Sequence, residues 1–170
     1  MSVEWAKVML GLPLPPNEME NIPHSAFELG IHVTTKTVQA GTFLGSCLIG
    51  PLFRAARGPR NASAFRQSFV RGGSRGALIG LVLGPALTYA RIRNDPEEKV
   101  YDRSFRLRHH VNQVTIDRCT YLGAVLGLLA TRSAFGLVAG IDAGLLAGNV
   151  YNATRDAPAK KPKAKKSDSE

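Results

Sequence analysis

The sequence predicts an all-α integral membrane protein, built as a bundle of four short glycine-rich transmembrane helices. Three observations predict this fold class. Fourteen of the 17 glycines lie within four apolar stretches of the chain. Twelve of those glycines recur at every fourth residue, which places them on one face of a helix. The 22 Lys and Arg residues, against 13 Asp and Glu, fall mainly between the stretches and after the last one.

The four-residue glycine spacing indicates close helix packing in a membrane. In water each interior glycine weakens a helix by about 1 kcal/mol relative to Ala. In a bilayer, stripes of small residues let two helix backbones approach closely, and van der Waals contact then drives association. We therefore assign helix packing to twelve residues: Gly41, Gly45, Gly72, Gly76, Gly80, Gly84, Gly123, Gly127, Gly136, Gly140, Gly144 and Gly148.

Residues 1–32 are predicted to form an N-terminal amphipathic and Pro-rich segment. The start of the chain carries Glu4 and no Arg, which fits neither a secretory signal nor a cleavable mitochondrial presequence. Trp5 and its apolar neighbours indicate a short amphipathic helix. That helix lies either at a membrane surface, with the indole at headgroup level, or against the protein core.

The four-helix membrane domain is predicted over residues 33–153, with spans at about 33–54, 70–91, 115–131 and 133–153. The uncharged runs inside the first three spans are short, whereas a span normally needs about 20 residues. Lys36, Arg71 and Arg75 can extend the first two spans by snorkelling. A soluble or peripheral helical bundle is the alternative fold.

The linkers between the predicted spans carry much of the positive charge. The linker after span one contains arginines and no acid, whereas only Arg132 separates spans three and four. This short final linker predicts a tight helical hairpin. The number of Lys and Arg on the side of the termini and the 92–117 loop favours that side as the inner one. The acid-free arginine linker favours the opposite orientation.

Residues 154–170 are predicted to be a disordered Lys-rich tail, because lysines, prolines and small polar residues cannot bury a core. The tail either keeps the protein soluble or contacts anionic lipid or nucleic acid. Cationic loops of a membrane protein explain the net charge of +9 more simply than nucleic-acid binding does, since the arginine linkers hold few aromatic residues for stacking.

Asp142 is a candidate intramembrane polar site, since it lies between Gly140 and Gly144 in the fourth predicted span. An ionisable group at such depth faces a polar partner or a water-filled cavity. It either lines a path for a solute or makes a structural bond to a neighbouring Ser, Thr or amide. On the first interpretation Asp142→Asn leaves assembly intact, and on the second it disturbs assembly.

The remaining reactive residue types give no pattern for chemistry. Asp117 and Arg118 open the third predicted span, where an acid can cap the helix. Cys47 and Cys119 are expected to be buried free thiols rather than a disulfide, which would need their Cα atoms within about 7 Å. The four histidines show no metal-ligand spacing with a carboxylate or thiol. We therefore predict a protein with no catalytic residues, no metal site and no cofactor.

The chain resembles the mitochondrial inner-membrane preprotein and amino-acid transporter family, through its four short Gly-rich spans and tight last hairpin over about residues 33–152. The family signature has an Arg four residues before an Asp, followed by a Gly-x-x-x-Gly run in the third span. Asp117 matches that Asp, Gln113 stands at the Arg position, and Gly123 and Gly127 follow about two residues early.

The family includes the channel-forming subunits of the inner-membrane translocases and a small accessory subunit of respiratory complex I. The segment after the second span, RIRNDPEEKVYD, loosely resembles that accessory subunit. The resemblance implies an imported multi-pass protein of the inner membrane, with its termini in the intermembrane space. We expect a non-catalytic structural subunit of an inner-membrane complex; the alternative is a component of a protein or solute translocase. The implied partners are other inner-membrane subunits and lipids such as cardiolipin, not nucleic acid.

Overall fold

The computed structural model describes residues 3–57 and 61–156, and in these residues the chain is helical with no β-strand. The all-α prediction is confirmed. Residues 157–170 of the predicted tail lie outside the described part. The elements are α1 (Val3–Leu10), α2 (Pro16–Glu20), α3 (Ser25–Phe43), a π-helical segment (Leu44–Ile49), α4 (Gly50–Arg57), α5 (Ala62–Ile92), α6 (Glu97–His109), α7 (Val111–Thr131) and α8 (Ala134–Arg155).

The first structural unit is an antiparallel hairpin in which α3, the π-helical segment and α4 run without a break along α5. Glycines hold the two helices together. Gly41 lies against the backbone of Gly76, and Gly45 lies against the backbone of Gly72. A Cβ atom at any of these positions would collide with a carbonyl group of the opposite helix. The helix backbones are therefore in direct contact, as expected for small-residue packing in a membrane.

The π-helical segment lies directly before α4, which has a proline, Pro51, as its second residue. Pro51 has no N–H, and its ring would clash with the carbonyl of Cys47 in a regular α-helix. The helix widens here, because the Gly50 N–H donates to the carbonyl of Gly45, five residues back. The wider turn lets the helix continue past the proline.

The second unit is the hairpin of α7 and α8. Arg132 connects the helices in the left-handed region, with φ 47°. The Ser133 hydroxyl then caps α8 by accepting from the Gly136 N–H at 3.4 Å. Along the hairpin, glycines again meet the opposite backbone, and Gly123 lies against Gly140. The helices are joined by Arg132 and Ser133 alone, in agreement with the short linker of the sequence.

The two hairpins pack together mainly through α8, which contacts both α3 and α5. Val138 of α8 fills the notch left by the missing side chain of Gly73. The rings of Phe69 and Phe135 pack nearby at an interplanar angle of 54°, with their centroids 5.8 Å apart. The four long helices thus form one bundle made from two glycine-packed pairs.

The polarity of this bundle is inverted relative to a soluble protein, in which apolar side chains are inside. The interior of the bundle holds glycines and polar side chains: Gln39, Thr42, Ser46, Thr88, Asp117, Thr120, Asp142 and Asn152. The exposed surface holds large apolar side chains, including Leu48, Leu52, Leu78, Leu81, Val82, Leu122, Val125, Leu129, Leu146 and Val150. Apolar surface this extensive marks contact with lipid or with other proteins.

The short helices α1, α2 and α6 lie at the end of the bundle where α3 begins and α8 ends. Helix α1 packs on α7, with Val8 buried and its carbonyl accepting from the Arg118 guanidinium at 2.9 Å. The structure thus shows α1 packed against the rest of the protein, which is one of the two alternatives for this helix. Helix α6 packs on α3, where the Ser104 hydroxyl donates to the Ser25 carbonyl at 2.7 Å.

The helices are longer than the uncharged runs indicate. Helix α3 begins at Ser25, so the predicted boundary at residue 32 falls inside a helix. Helix α5 begins at Ala62 rather than at 70. Helix α6 occupies part of the predicted 92–117 loop. The difference arises because charged residues continue a helix as readily as apolar ones do. Among the described residues, α7 and α8 are long and apolar enough to cross a membrane.

Gly45→Ala should destabilise the protein. The added Cβ would collide with the carbonyl group of Gly72 and force the helices of the first hairpin apart. We expect the free energy of unfolding to fall by about 1–3 kcal/mol. Gly30→Ala is the matched control in the same helix, because its Cβ would meet only the Thr88 methyl group at an ordinary 3.7 Å. Thermal unfolding in detergent, followed by circular dichroism, measures both. Equal midpoints for the two variants would contradict the backbone contact.

Candidate functional site

A line of buried and half-buried polar side chains runs along the contact between the two hairpins. We call it the polar seam. Its members on α3 and the π-helical segment are His32, Lys36, Gln39 and Ser46, and those on α7 and α8 are Asp117, Thr120 and Asp142. The successive spacings of four, three and seven residues on the first helix keep its members on one face.

Asp117 is the centre of the larger cluster in the seam and is 2% exposed. Its Oδ1 accepts from the Lys36 ammonium at 2.6 Å and from the Gln39 amide at 2.9 Å. Its Oδ2 lies 3.2 Å from Nδ1 of His32. The Gln39 amide also donates to the Thr120 hydroxyl at 3.0 Å. Both carboxylate oxygens are therefore bound by side chains of the opposite hairpin.

This environment corrects the interpretation of Asp117 as a helix-capping residue. Asp117 does not cap the helix, since α7 begins at Val111 and its cap is His110, whose ring accepts from the Gln113 N–H at 3.4 Å. The cation beside Asp117 is Lys36 of α3, so the positive charge is supplied across the contact between the hairpins.

Asp142 is the centre of the second, smaller cluster. Its carboxylate lies in the contact between α8 and the first hairpin. Its Oδ2 accepts from the Ser46 hydroxyl at 2.5 Å, and the Cys47 thiol lies 3.9 Å away. Its Oδ1 is buried with no hydrogen-bond partner. Most buried polar atoms are paired, so an unpaired one calls for a physical explanation. Asp142 thus has one structural bond and one unused acceptor.

The chain matches the model of a family described as proteins of unknown function, DUF1757, over residues 5–151. It belongs to that family. The matched region runs from α1 into the last turn of α8 and includes every member of the polar seam. No curated protein matches the chain.

The predicted packing glycines all lie on the contacts within hairpins. Those of the first two predicted spans join α3 to α5, and those of the last two join α7 to α8. They do not line the polar seam. Cys47 and Cys119 are both free thiols, and Cys47 is exposed rather than buried. In the described part of the chain, no group of three or more His, Cys, Asp and Glu residues is placed to hold a metal ion.

A second buried charge pair fixes the short helices to the bundle, and no pattern in the sequence indicates it. Arg108 of α6 binds the Glu28 carboxylate of α3 at 2.6 Å, with both side chains almost fully buried. The same guanidinium donates to the carbonyls of Glu18, Met19 and Asn21 at 3.0–3.1 Å. It therefore neutralises the C-terminal end of α2 as well. In the sequence, Arg108 is one of several cations in a predicted loop, and nothing distinguishes it from the others.

The open end of the second hairpin is closed by exposed polar groups. The Asn112 amide at the start of α7 donates to the Asp156 carboxylate, just past α8, at 2.8 Å. Hydrogen bonds from Asn112 and Arg155 hold the pKa of the Asp156 carboxyl below its usual value. This contact lies on the surface, so it sets the alignment of the helix ends more than the stability of the bundle.

Lys36→Met should lower the free energy of unfolding by about 3 kcal/mol, because it removes the strongest partner of a buried carboxylate. Adding Asp117→Leu to that variant should recover part of the loss, since an apolar pair replaces the charged one. The control is Arg106→Gln, whose partner Asp102 forms an exposed pair on α6. Chemical denaturation in detergent micelles measures all three. A loss as large for Arg106→Gln would show that the burial of Asp117, the partner of Lys36, does not matter.

Proposed function

We propose that this protein is a non-catalytic, four-span structural subunit of a mitochondrial inner-membrane complex, with respiratory complex I as the first complex to test. The observation that carries the proposal is the inverted polarity of the bundle. Its long helices bury glycine and polar groups and expose leucine, isoleucine and valine. Such a surface suits lipid tails and neighbouring apolar helices, whereas in water it favours aggregation.

The first hairpin is proposed to span the membrane as the second does. Residues 37–53 are uncharged and run through the end of α3, the π-helical segment and most of α4. Residues 76–90 are uncharged within α5, whose 31 residues are about 46 Å long. That length exceeds the hydrocarbon core of about 30 Å, so the charged ends of α5 can reach the headgroups.

A structural role is favoured because the buried charges are bound inside the protein. Asp117 is held by Lys36 and His32, and Glu28 is held by Arg108. Each pair joins different helices and keeps them in place. Charges used in this way are not available to a passing solute. The mitochondrial compartment is inferred from the family resemblance of the glycine register and of Asp117.

One observation favours the alternative function, a component of a protein or solute translocase. The buried Oδ1 of Asp142 has no partner, and an ionisable group inside a membrane domain is often part of a transport path. A groove of about 210 Å³ also opens between the hairpins beside the polar seam, with Gln39, Thr120 and Tyr121 among its lining. Asp142 itself does not line that groove.

Migration on a native gel tests the proposed function. Mitochondria expressing the tagged full-length chain are solubilised in digitonin, and the band that holds the chain is identified by mass spectrometry. We expect it to migrate with respiratory-chain subunits and to stay in the pellet after alkaline carbonate washing. Migration with translocase components would favour the alternative. Release by carbonate would contradict four spans, and a lone low-mass band would contradict a subunit role.

Asp142→Asn separates the two functions through transport rather than through assembly. The amide oxygen of the substituted side chain can still accept from Ser46, so we expect the complex to assemble normally on either function. For a structural subunit, import of a radiolabelled carrier precursor should also remain at the wild-type rate. A loss of import of about tenfold or more in the assembled variant would establish a transport role for the carboxylate. Ser46→Ala is the control for the hydrogen bond alone.

A further inference from the structure

A groove on the outer face of the first hairpin combines three arginines with an apolar channel. It encloses about 590 Å³ between α3, the π-helical segment, α4 and α5. Its floor consists of glycines of the helix contact, such as Gly45 and Gly72. Its apolar walls are Leu44, Ile49, Phe53 and Ile79, and its cations are Arg54, Arg71 and Arg75. The groove exists because the glycines leave its floor without side chains.

The three arginines line the same groove, and their positions in the sequence place them toward one end of it. Arg54 immediately follows the uncharged run of the first helix, and Arg75 immediately precedes that of α5, so both mark the same edge of the bundle. Helical side chains lean toward the N-terminus of their own helix. Arg71 and Arg75 therefore lean outward along α5, and Arg54 leans back toward them from α4.

These arginines lack the partners that other cations of the bundle have. None of the three forms an ion pair with another residue in the described ranges 3–57 and 61–156. The Nε atom of Arg54 is buried and has no hydrogen-bond partner among the residues that the structure describes. By contrast, Arg108 and Lys36 are both paired with carboxylates. Three cations that line one groove without a carboxylate partner among the described residues form a cluster of positive charge that suits an external anion.

We propose that this arginine groove binds one anionic phospholipid, with its phosphate on Arg54, Arg71 and Arg75 and an acyl chain along Leu44, Ile49 and Ile79. The arginines supply charge-assisted, bidentate hydrogen bonds to phosphate oxygens. The apolar walls match a hydrocarbon tail, which a free phosphate ion does not have. Basic pockets between membrane helices are known to take such headgroups. The inference rests on the membrane location in the proposed function, and the experiment separates the two.

The test places single tryptophans in the full-length chain and measures their quenching by brominated lipids. Trp5 is the chain's one tryptophan and is first replaced by Phe. Ile79→Trp then reports on the groove, and Leu122→Trp on α7 is the control, since both positions are about 60% exposed. Vesicles contain phosphatidylcholine with a minority of phosphatidylglycerol, and either lipid carries the bromine. All three arginines remain intact in this first comparison, so its outcome does not depend on how a variant without them folds.

We expect brominated phosphatidylglycerol to quench the groove tryptophan in clear preference to brominated phosphatidylcholine, and the α7 tryptophan to show no preference. Changing Arg54, Arg71 and Arg75 together to Gln should reduce the preference by at least about tenfold, because each basic residue contributes about a factor of five. A charge-matched control changes Arg91, Arg93 and Arg132 to Gln, and it should keep the preference.

Four results would overturn the proposal. Equal quenching by both lipids at position 79, with quenching also at position 122, would leave the membrane location intact and remove the lipid site. Equal losses for the two triple-Gln variants would show that the preference for phosphatidylglycerol depends on total positive charge and not on this groove. Displacement by added inorganic phosphate would assign the arginines to a free anion. Absence of quenching at both positions would contradict the membrane location itself, and the lipid site with it.

Discussion

The bundle depends on direct contact between helix backbones. At Gly41 and Gly76 in the first hairpin, and at Gly123 and Gly140 in the second, no side chain separates the two helices. In the proposed membrane location, burying leucine brings no hydrophobic gain, so close van der Waals contact between backbones is the available source of attraction. Each of these glycines therefore permits the contact because it has no Cβ atom.

The same constraint explains why the contact between hairpins is polar. Glycines are used within each hairpin, and α8 meets the first hairpin through Val138 and through the polar seam. Hydrogen bonds and ion pairs across a contact specify its alignment, because an offset of one residue would leave Asp117 or Asp142 without its partner. The backbone contacts supply attraction, and the polar seam fixes the relative position of the two pairs.

Two groups of cations in the described part of the chain have different roles. Arg108 and Lys36 are turned inward and bind carboxylates of neighbouring helices. Arg54, Arg71 and Arg75 face a groove in which no residue of the described chain neutralises them. Net charge alone does not separate these groups. The distinction matters for function, since paired cations hold the protein together and unpaired ones remain available to an external anion.

The sequence by itself determined the helical class and the faces on which the glycines lie, because four-residue periodicity is a local property of the chain. It also determined the short turn at Arg132. The tertiary structure alone decided that Lys36 faces Asp117, that Arg108 is buried on Glu28, and that three arginines share one groove. These pairs are formed by residues distant in sequence or on different helices, so no local pattern encodes them. They follow from which helices pack together and from the axial alignment of those helices, and both depend on the packing of the whole bundle.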